Sequence, residues 1–129
     1  MPTKVLLISA MPSGKYEYLR QADEEINGIE EILTPDRSKG NFDTDRRQHI
    51  VHTSLVKLLN DEYDIIHFTG HGDPNGLVFE DGTAIPEEQL AKLFQNHKIQ
   101  LLFLNACYSS SQVNVLRNLK NIKNIITNK

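Results

Sequence analysis

The chain has 129 residues, of which 39% are hydrophobic and 24% charged, and its formal net charge is −3. These values are typical of one globular domain, and they argue against a disordered chain and a strongly basic nucleic-acid-binding domain. The single cysteine rules out an internal disulfide, and no apolar stretch is long enough for a signal peptide or a membrane span, so we predict a cytoplasmic protein.

Short apolar runs alternate with stretches that have helical spacing of apolar residues. Runs of four to eight apolar residues bounded by turn residues are typical of strands buried on both faces of a parallel sheet. In chain order, the predicted elements are a strand at Lys4–Ser9, a helix at Tyr16–Leu33, a polar loop at Thr34–Arg47 with a weak edge strand around Asn41–Asp45, a helix within Ile50–Asn60, a strand at Asp64–Thr69, a hairpin at Leu77–Ile85, a helix at Glu87–Phe94, a strand at Gln100–Leu104, a helix at Gln112–Leu119 and a last strand at Asn124–Thr127.

This alternation of strands and helices predicts right-handed crossovers between parallel strands. The fold class is therefore α/β, a three-layer sandwich with a mainly parallel sheet of about five strands and a Rossmann-like topology. In such sheets, ligands and substrates bind beyond the carboxyl ends of the strands. Candidate functional residues are thus sought at those ends.

Two reactive side chains directly follow buried strands. His71 comes just after the strand at Asp64–Thr69, and Cys107 comes just after the strand at Gln100–Leu104. If these strands are neighbours, about 4.8 Å apart, the imidazole and the sulfur lie within reach of one another. A cysteine thiol titrates near pH 8.5, so an imidazole that takes its proton generates the nucleophilic thiolate. The glycines on both sides of His71 leave backbone N–H groups free to face an oxyanion.

Other interpretations of these residues stay open. A lone cysteine is often a small apolar core residue, and a Gly-His-Gly sequence is also typical of a tight turn. His67, in the middle of its strand, is interpreted as a hydrogen-bonded core histidine. With His71 and Cys107 it would supply three zinc ligands, but no fourth is evident, so we predict no metal. The segment Pro12–Lys15 matches only the tail of a phosphate-binding loop, and we predict no cofactor.

Two sequence motifs carry a family resemblance. Asp64–Gly72 reads DIIHFTGHG and Leu102–Cys107 reads LFLNAC, with a glycine-containing hairpin at Gly76–Gly82 between them. Together they resemble the signature of CHAT domains, which belong with caspases, metacaspases and separases among the caspase-like cysteine peptidases. The opening segment Leu7–Pro12 and the acidic helix after it also fit, so the resemblance extends over nearly the whole chain. It implies a caspase-like fold.

The resemblance also implies roles for individual residues. Cys107 would be the nucleophile and His71 the general base of a catalytic dyad. The backbone N–H groups of Gly72 and Cys107 would form the oxyanion hole. Asn105 lies where caspases have a glutamine and metacaspases an aspartate that line the specificity pocket. Because Asn105 is uncharged, it predicts no preference for acidic or basic residues before the scissile bond.

The chain departs from its relatives in two respects. The caspase signature Q-A-C-[RQG]-G is replaced by Asn105–Ser109, which reads NACYS. We predict a single caspase-like domain over residues 1–129 that is short at its C-terminal end, because family domains normally continue with further strands and helices.

Two hypotheses for function follow. The first is a cysteine endopeptidase in regulated bacterial proteolysis, acting on a protein or peptide and completed by a second copy of the chain or a regulatory partner protein. The alternative is a non-catalytic caspase-like interaction module. Neither hypothesis involves nucleic acid or a membrane.

Overall fold

A computed structural model describes residues 2–10, 20–48, 50–79, 82–106 and 114–127. Strands and helices alternate over most of this length. In chain order they are β1 (Thr3–Ala10), α1 (Arg20–Ser38), β2 (Phe42–Gln48), α2 (His52–Leu58), β3 (Ile65–Gly70), β4 (Gly72–Asp73), β5 (Gly76–Val78), β6 (Ala84–Ile85), α3 (Glu87–Phe94), β7 (Ile99–Asn105), α4 (Asn114–Arg117) and β8 (Ile122–Thr127).

A five-stranded sheet in the order β2-β1-β3-β7-β8 forms the middle of the molecule. All of its neighbouring strands are parallel. The central strand β3 has β1 on one side and β7 on the other, so the two motif-bearing strands are direct neighbours. The predicted α/β fold with a mainly parallel sheet of about five strands is therefore confirmed.

The central strands β1 and β3 are buried on both faces of the sheet, which explains why they are mostly apolar. On one face, Val5 and Leu7 of β1 pack with Ile26 of α1. The alternate residues of the strands belong to a larger cluster that includes Leu55 of α2 and Leu90 of α3. Helices thus cover both faces of the sheet, which gives the three-layer arrangement expected from the sequence.

Helix α1 continues beyond the predicted end at Leu33. Its last turn contains Pro35, although proline lacks the N–H that a helical hydrogen bond requires. Hydroxyl groups supply extra contacts in this turn: Thr34 Oγ1 donates to the carbonyl of Glu30 at 2.7 Å, and Ser38 Oγ donates to the carbonyl of Thr34 at 3.1 Å. The prediction of a loop starting at Thr34 is therefore wrong. Only three residues of the helix follow the proline, so the helix tolerates it.

The edge strand β2 is longer than the sequence indicated, despite its charged composition. Arg46 Nη1 lies 2.5 Å from Asn27 Oδ1 and 3.2 Å from Glu30 Oε2, which ties the strand to α1. The buried Tyr63 donates a hydrogen bond from its hydroxyl to Asp45 Oδ2 at 2.5 Å. Hydrogen bonds of polar side chains therefore stabilise this edge strand, although β-strand propensity favours apolar residues.

A small antiparallel sheet, β4-β5-β6, follows the end of β3. Gly76 adopts a φ of +144°, and a Cβ at this position would lie 2.0 Å from the carbonyl oxygen of Ile85. Only glycine fits such a position. The hairpin predicted at Leu77–Ile85 is confirmed as β5-β6, and β4 adds a short strand that was not among the predicted elements. None of the described helices is long and apolar enough to cross a membrane.

Candidate active site

The carboxyl ends of β3 and β7 lie side by side in the sheet. In the register of this parallel pair, Thr69 is opposite Asn105, and Thr69 is also opposite Ser9 of β1. Thr69 precedes His71 by two positions in the sequence, and Asn105 precedes Cys107 by two. The two motifs are therefore brought to the same edge of the sheet by adjacent strands.

His71 joins β3 to the small sheet and is partly exposed. Its carbonyl accepts a hydrogen bond from the N–H of Val78 at 3.0 Å. The preceding Gly70 packs against β1 so closely that a Cβ there would lie 2.7 Å from the carbonyl oxygen of Ala10. The backbone on both sides of the imidazole is thus fixed by a close strand contact and by the hairpin.

Of the other predicted site residues, the structure describes Gly72 and Asn105 but not Cys107. Cys107 lies outside the described residues, so the predicted dyad and the contribution of the Cys107 amide to an oxyanion hole stay predictions. Gly72 belongs to β4, where it pairs with Leu77. Ala106, the last described residue before the cysteine, is 3% exposed and belongs to the core.

A carboxylate from α1 lies at the ends of both motif strands. Glu25 Oε2 accepts hydrogen bonds from Thr69 Oγ1 at 2.9 Å and from Asn105 Nδ2 at 2.6 Å. Glu25 Oε1 lies 3.3 Å from His67 Nε2. These four side chains, Glu25, His67, Thr69 and Asn105, form what we call the Glu25 cluster.

His67 is the buried base of the Glu25 cluster, with 7% of its surface exposed. Its ring stacks on Phe103 of β7, with the centroids 4.5 Å apart and an angle of 18° between the planes. Burial lowers the pKa of His67 below its usual 6.5, although the nearby Glu25 carboxylate acts in the opposite direction.

The core position predicted for His67 is therefore correct. Within the described part of the chain, Nε2 makes no hydrogen bond of normal geometry, although it lies at ion-pair distance from Glu25.

Glu25 was not identified from the sequence, and its local pattern offers no signal. It immediately precedes Ile26, a fully buried residue of α1, in a helix with many acidic residues. Farther along α1, Ile29 packs against the same small cluster as Ile65 at the start of β3, and α1 connects the parallel strands β1 and β2. The helix therefore runs back from the carboxyl edge of the sheet, and this direction brings Glu25 to the strand ends. That placement depends on helix docking, which local residue patterns do not encode.

The zinc hypothesis receives no support from the described side chains. No three His, Cys, Asp or Glu residues among them are grouped so that they would hold a metal ion. Cys107, the third ligand of that hypothesis, is not among them. His67 instead faces the Glu25 carboxylate and the ring of Phe103.

Two comparisons with known proteins bear on this site. The family model of the CHAT domain matches residues 2–121 of the chain, a range that includes both strand-end motifs. No curated protein matches the sequence.

Proposed function

This chain belongs to the CHAT domain family, a caspase-like family of peptidase-like domains, and on that premise we propose that it is a cysteine endopeptidase with His71 and Cys107 as its catalytic dyad. Its substrate is a protein or peptide. The biological setting that we propose is regulated proteolysis in a bacterium.

The observation that carries the proposal is the pairing of Thr69 with Asn105 in the sheet. Each of these residues precedes one proposed catalytic residue by the same two positions. Parallel strands that end together carry the chain that follows them to one edge, where α/β proteins bind substrates. The partly exposed His71 at this edge supports the same conclusion.

The proposed reaction follows from the chemistry of the two side chains. His71 accepts the proton of the Cys107 thiol, and the thiolate attacks the carbonyl carbon of the scissile peptide bond to form a carbon–sulfur bond. The negative charge that develops on the carbonyl oxygen is stabilised by the backbone N–H groups of Gly72 and Cys107. The carbon–nitrogen bond then breaks while His71 donates its proton to the leaving amine. Water, activated by His71, hydrolyses the thioester and releases the second product.

Asn105 is proposed to line the pocket for the side chain that precedes the scissile bond. It is partly exposed at the end of β7 and its amide is held by Glu25. A second copy of the chain or a regulatory protein is proposed to complete the substrate-binding groove and to control the peptidase activity.

Covalent labelling tests the dyad directly. Because Cys107 is the only cysteine in the sequence, intact-protein mass spectrometry with a peptidyl acyloxymethyl ketone reports on this residue alone. We expect wild-type protein to react faster than His71→Ala by about 100-fold, which is the usual contribution of a general base. The matched control His97→Ala removes a histidine outside both motifs and keeps the wild-type rate. Cys107→Ala gives no product.

Equal labelling rates for wild type and His71→Ala would contradict the dyad. That result would favour the non-catalytic interaction module, because a cysteine that reacts without its base has no catalytic activation.

A further inference from the structure

The Glu25 cluster contains a negative charge that no described cation balances. The side chain of Glu25 is 29% exposed, so the cluster is partly open to solvent. Its two hydrogen-bond donors, Thr69 and Asn105, are neutral. Arg46 of strand β2 forms an ion pair with Glu30 of α1 rather than with Glu25.

The histidine of the cluster does not neutralise Glu25 at neutral pH. His67 is buried, and burial lowers its pKa, so the imidazole is uncharged under those conditions. Its Nε2 also makes no hydrogen bond of normal geometry with the carboxylate. Hydrogen bonds from neutral donors fix the position of a carboxylate while leaving its net charge unchanged.

The proposed specificity pocket is in direct contact with the negatively charged Glu25 carboxylate. Asn105, the pocket residue, donates its amide N–H to Glu25 at 2.6 Å. The uncharged amide alone predicts no charge preference, but the carboxylate behind it makes the pocket acidic. A positively charged substrate side chain would add a cation to the neutral hydrogen-bond donors that already contact Glu25.

We propose that Glu25 is the specificity-determining residue of this domain and selects substrates with lysine or arginine immediately before the scissile bond. This inference rests on the proposed peptidase function, because it assigns a substrate class to the same site. Charged hydrogen bonds to a carboxylate discriminate by about 10-fold to 100-fold over neutral ones. Acidic side chains before the scissile bond are repelled by the same charge.

The first test measures the labelling rates of Cys107 with acyloxymethyl ketone probes that differ in one residue. The probes carry Arg, Lys, Ala or Asp next to the reactive group. We expect the Arg and Lys probes to react at least about 10-fold faster than the Ala probe, and the Asp probe to react most slowly.

The informative variant is Glu25→Gln, because glutamine keeps an acceptor oxygen for Thr69 and Asn105 but removes the charge. We expect the ratio of the Arg rate to the Ala rate to fall to nearly one. Glu31→Gln makes the same change in net charge at an exposed position of α1, and this control keeps the wild-type ratio. A wild-type ratio near one, or a high ratio that survives Glu25→Gln, overturns the proposal while the peptidase function stands.

The second test does not require catalysis, so it separates failure of this proposal from failure of the proposed function. N-acetyl-arginine amide and N-acetyl-alanine amide are titrated into isotope-labelled Cys107→Ala protein, and the NMR signals of Thr69 and of the Asn105 side-chain amide are followed. We expect shifts with the arginine compound alone, and none after Glu25→Gln is added. If no probe labels Cys107, the peptidase function fails; if arginine causes no Glu25-dependent shifts, the assignment of Glu25 fails.

Discussion

Glu25 and Asn105 are separated by 80 positions in the chain, yet the Asn105 amide donates a hydrogen bond of 2.6 Å to the Glu25 carboxylate. The same oxygen of Glu25 accepts a hydrogen bond from Thr69. One side chain of α1 therefore joins the ends of β3 and β7. Each of these strand ends leads into one of the two motifs that characterise the chain, so the contact connects the helical layer to the candidate active site.

Replacing Glu25 with alanine is expected to lower the free energy of unfolding. The variant removes the Glu25 acceptor from the buried Thr69 hydroxyl and from the Asn105 amide, which costs about 1–3 kcal/mol. Glu25→Gln keeps an acceptor oxygen and loses less. Urea unfolding measures both values, and the exposed Glu31→Ala is the control, expected within about 0.5 kcal/mol of wild type. Equal losses for Glu25→Ala and Glu25→Gln would show that the charge, rather than the hydrogen bonds, stabilises the fold.

The pKa of His67 predicts that the domain loses stability on mild acidification. Because burial lowers this pKa in the folded state, the unfolded chain binds a proton below about pH 6.5 that the folded protein does not. The contribution of His67 to the free energy of unfolding is therefore fully present above about pH 6.5. It falls as the pH decreases, by at most about 1.4 kcal/mol per pH unit.

The matched variant His67→Phe keeps an aromatic ring beside Phe103 but does not titrate. Urea unfolding between about pH 5.5 and pH 7.5 is expected to show a smaller loss of stability in the variant than in wild type. If the free energy of unfolding falls equally with pH in the two proteins, groups other than His67 cause the pH dependence. An increase in wild-type stability at the lower pH would contradict the decrease that the burial of His67 predicts.

Two glycine substitutions are expected to change stability in opposite directions. In Gly70→Ala the new Cβ meets the carbonyl oxygen of Ala10 at 2.7 Å, so the strands must separate at a cost of about 1–3 kcal/mol. In Gly28→Ala no described atom lies within 4 Å of the new Cβ, and alanine stabilises the interior of α1 by about 0.5–1 kcal/mol. Chemical denaturation measures both changes. An unchanged free energy of unfolding in Gly70→Ala would contradict the close approach of β1 and β3.

The hairpin is expected to control the backbone at His71. Gly76→Ala places a Cβ 2.0 Å from the carbonyl oxygen of Ile85, which forces β5 and β6 apart. Hydrogen exchange at the Val78 N–H, which donates to the carbonyl of His71, is then expected to accelerate. Gly82→Ala is the control, since Gly82 also has a positive φ but no described atom lies within 4 Å of its Cβ. That variant carries only left-handed strain of about 1–2 kcal/mol and keeps the protection of Val78.

Strand positions were predictable because their signal is local. Continuous apolar runs identified β1, β3 and β7 to within a residue or two, and the helix at Glu87–Phe94 matches the structure. The errors arose where tertiary contacts override local preference. The charged strand β2 is held by Arg46 and Tyr63, and the end of α1 continues through Pro35. Neither feature has a signature in residue periodicity.

The sequence by itself determined the fold class, the family and the two motifs that follow β3 and β7, because apolar periodicity and motif order are properties of the linear chain. Only the tertiary structure decided that Glu25 joins these motifs. Its hydrogen bonds span 44 and 80 positions, and they require both the register of Thr69 with Asn105 and the docking of α1 on that face of the sheet. Such contacts arise from packing between layers, where a side chain's partners are set by geometry rather than by its neighbours in sequence.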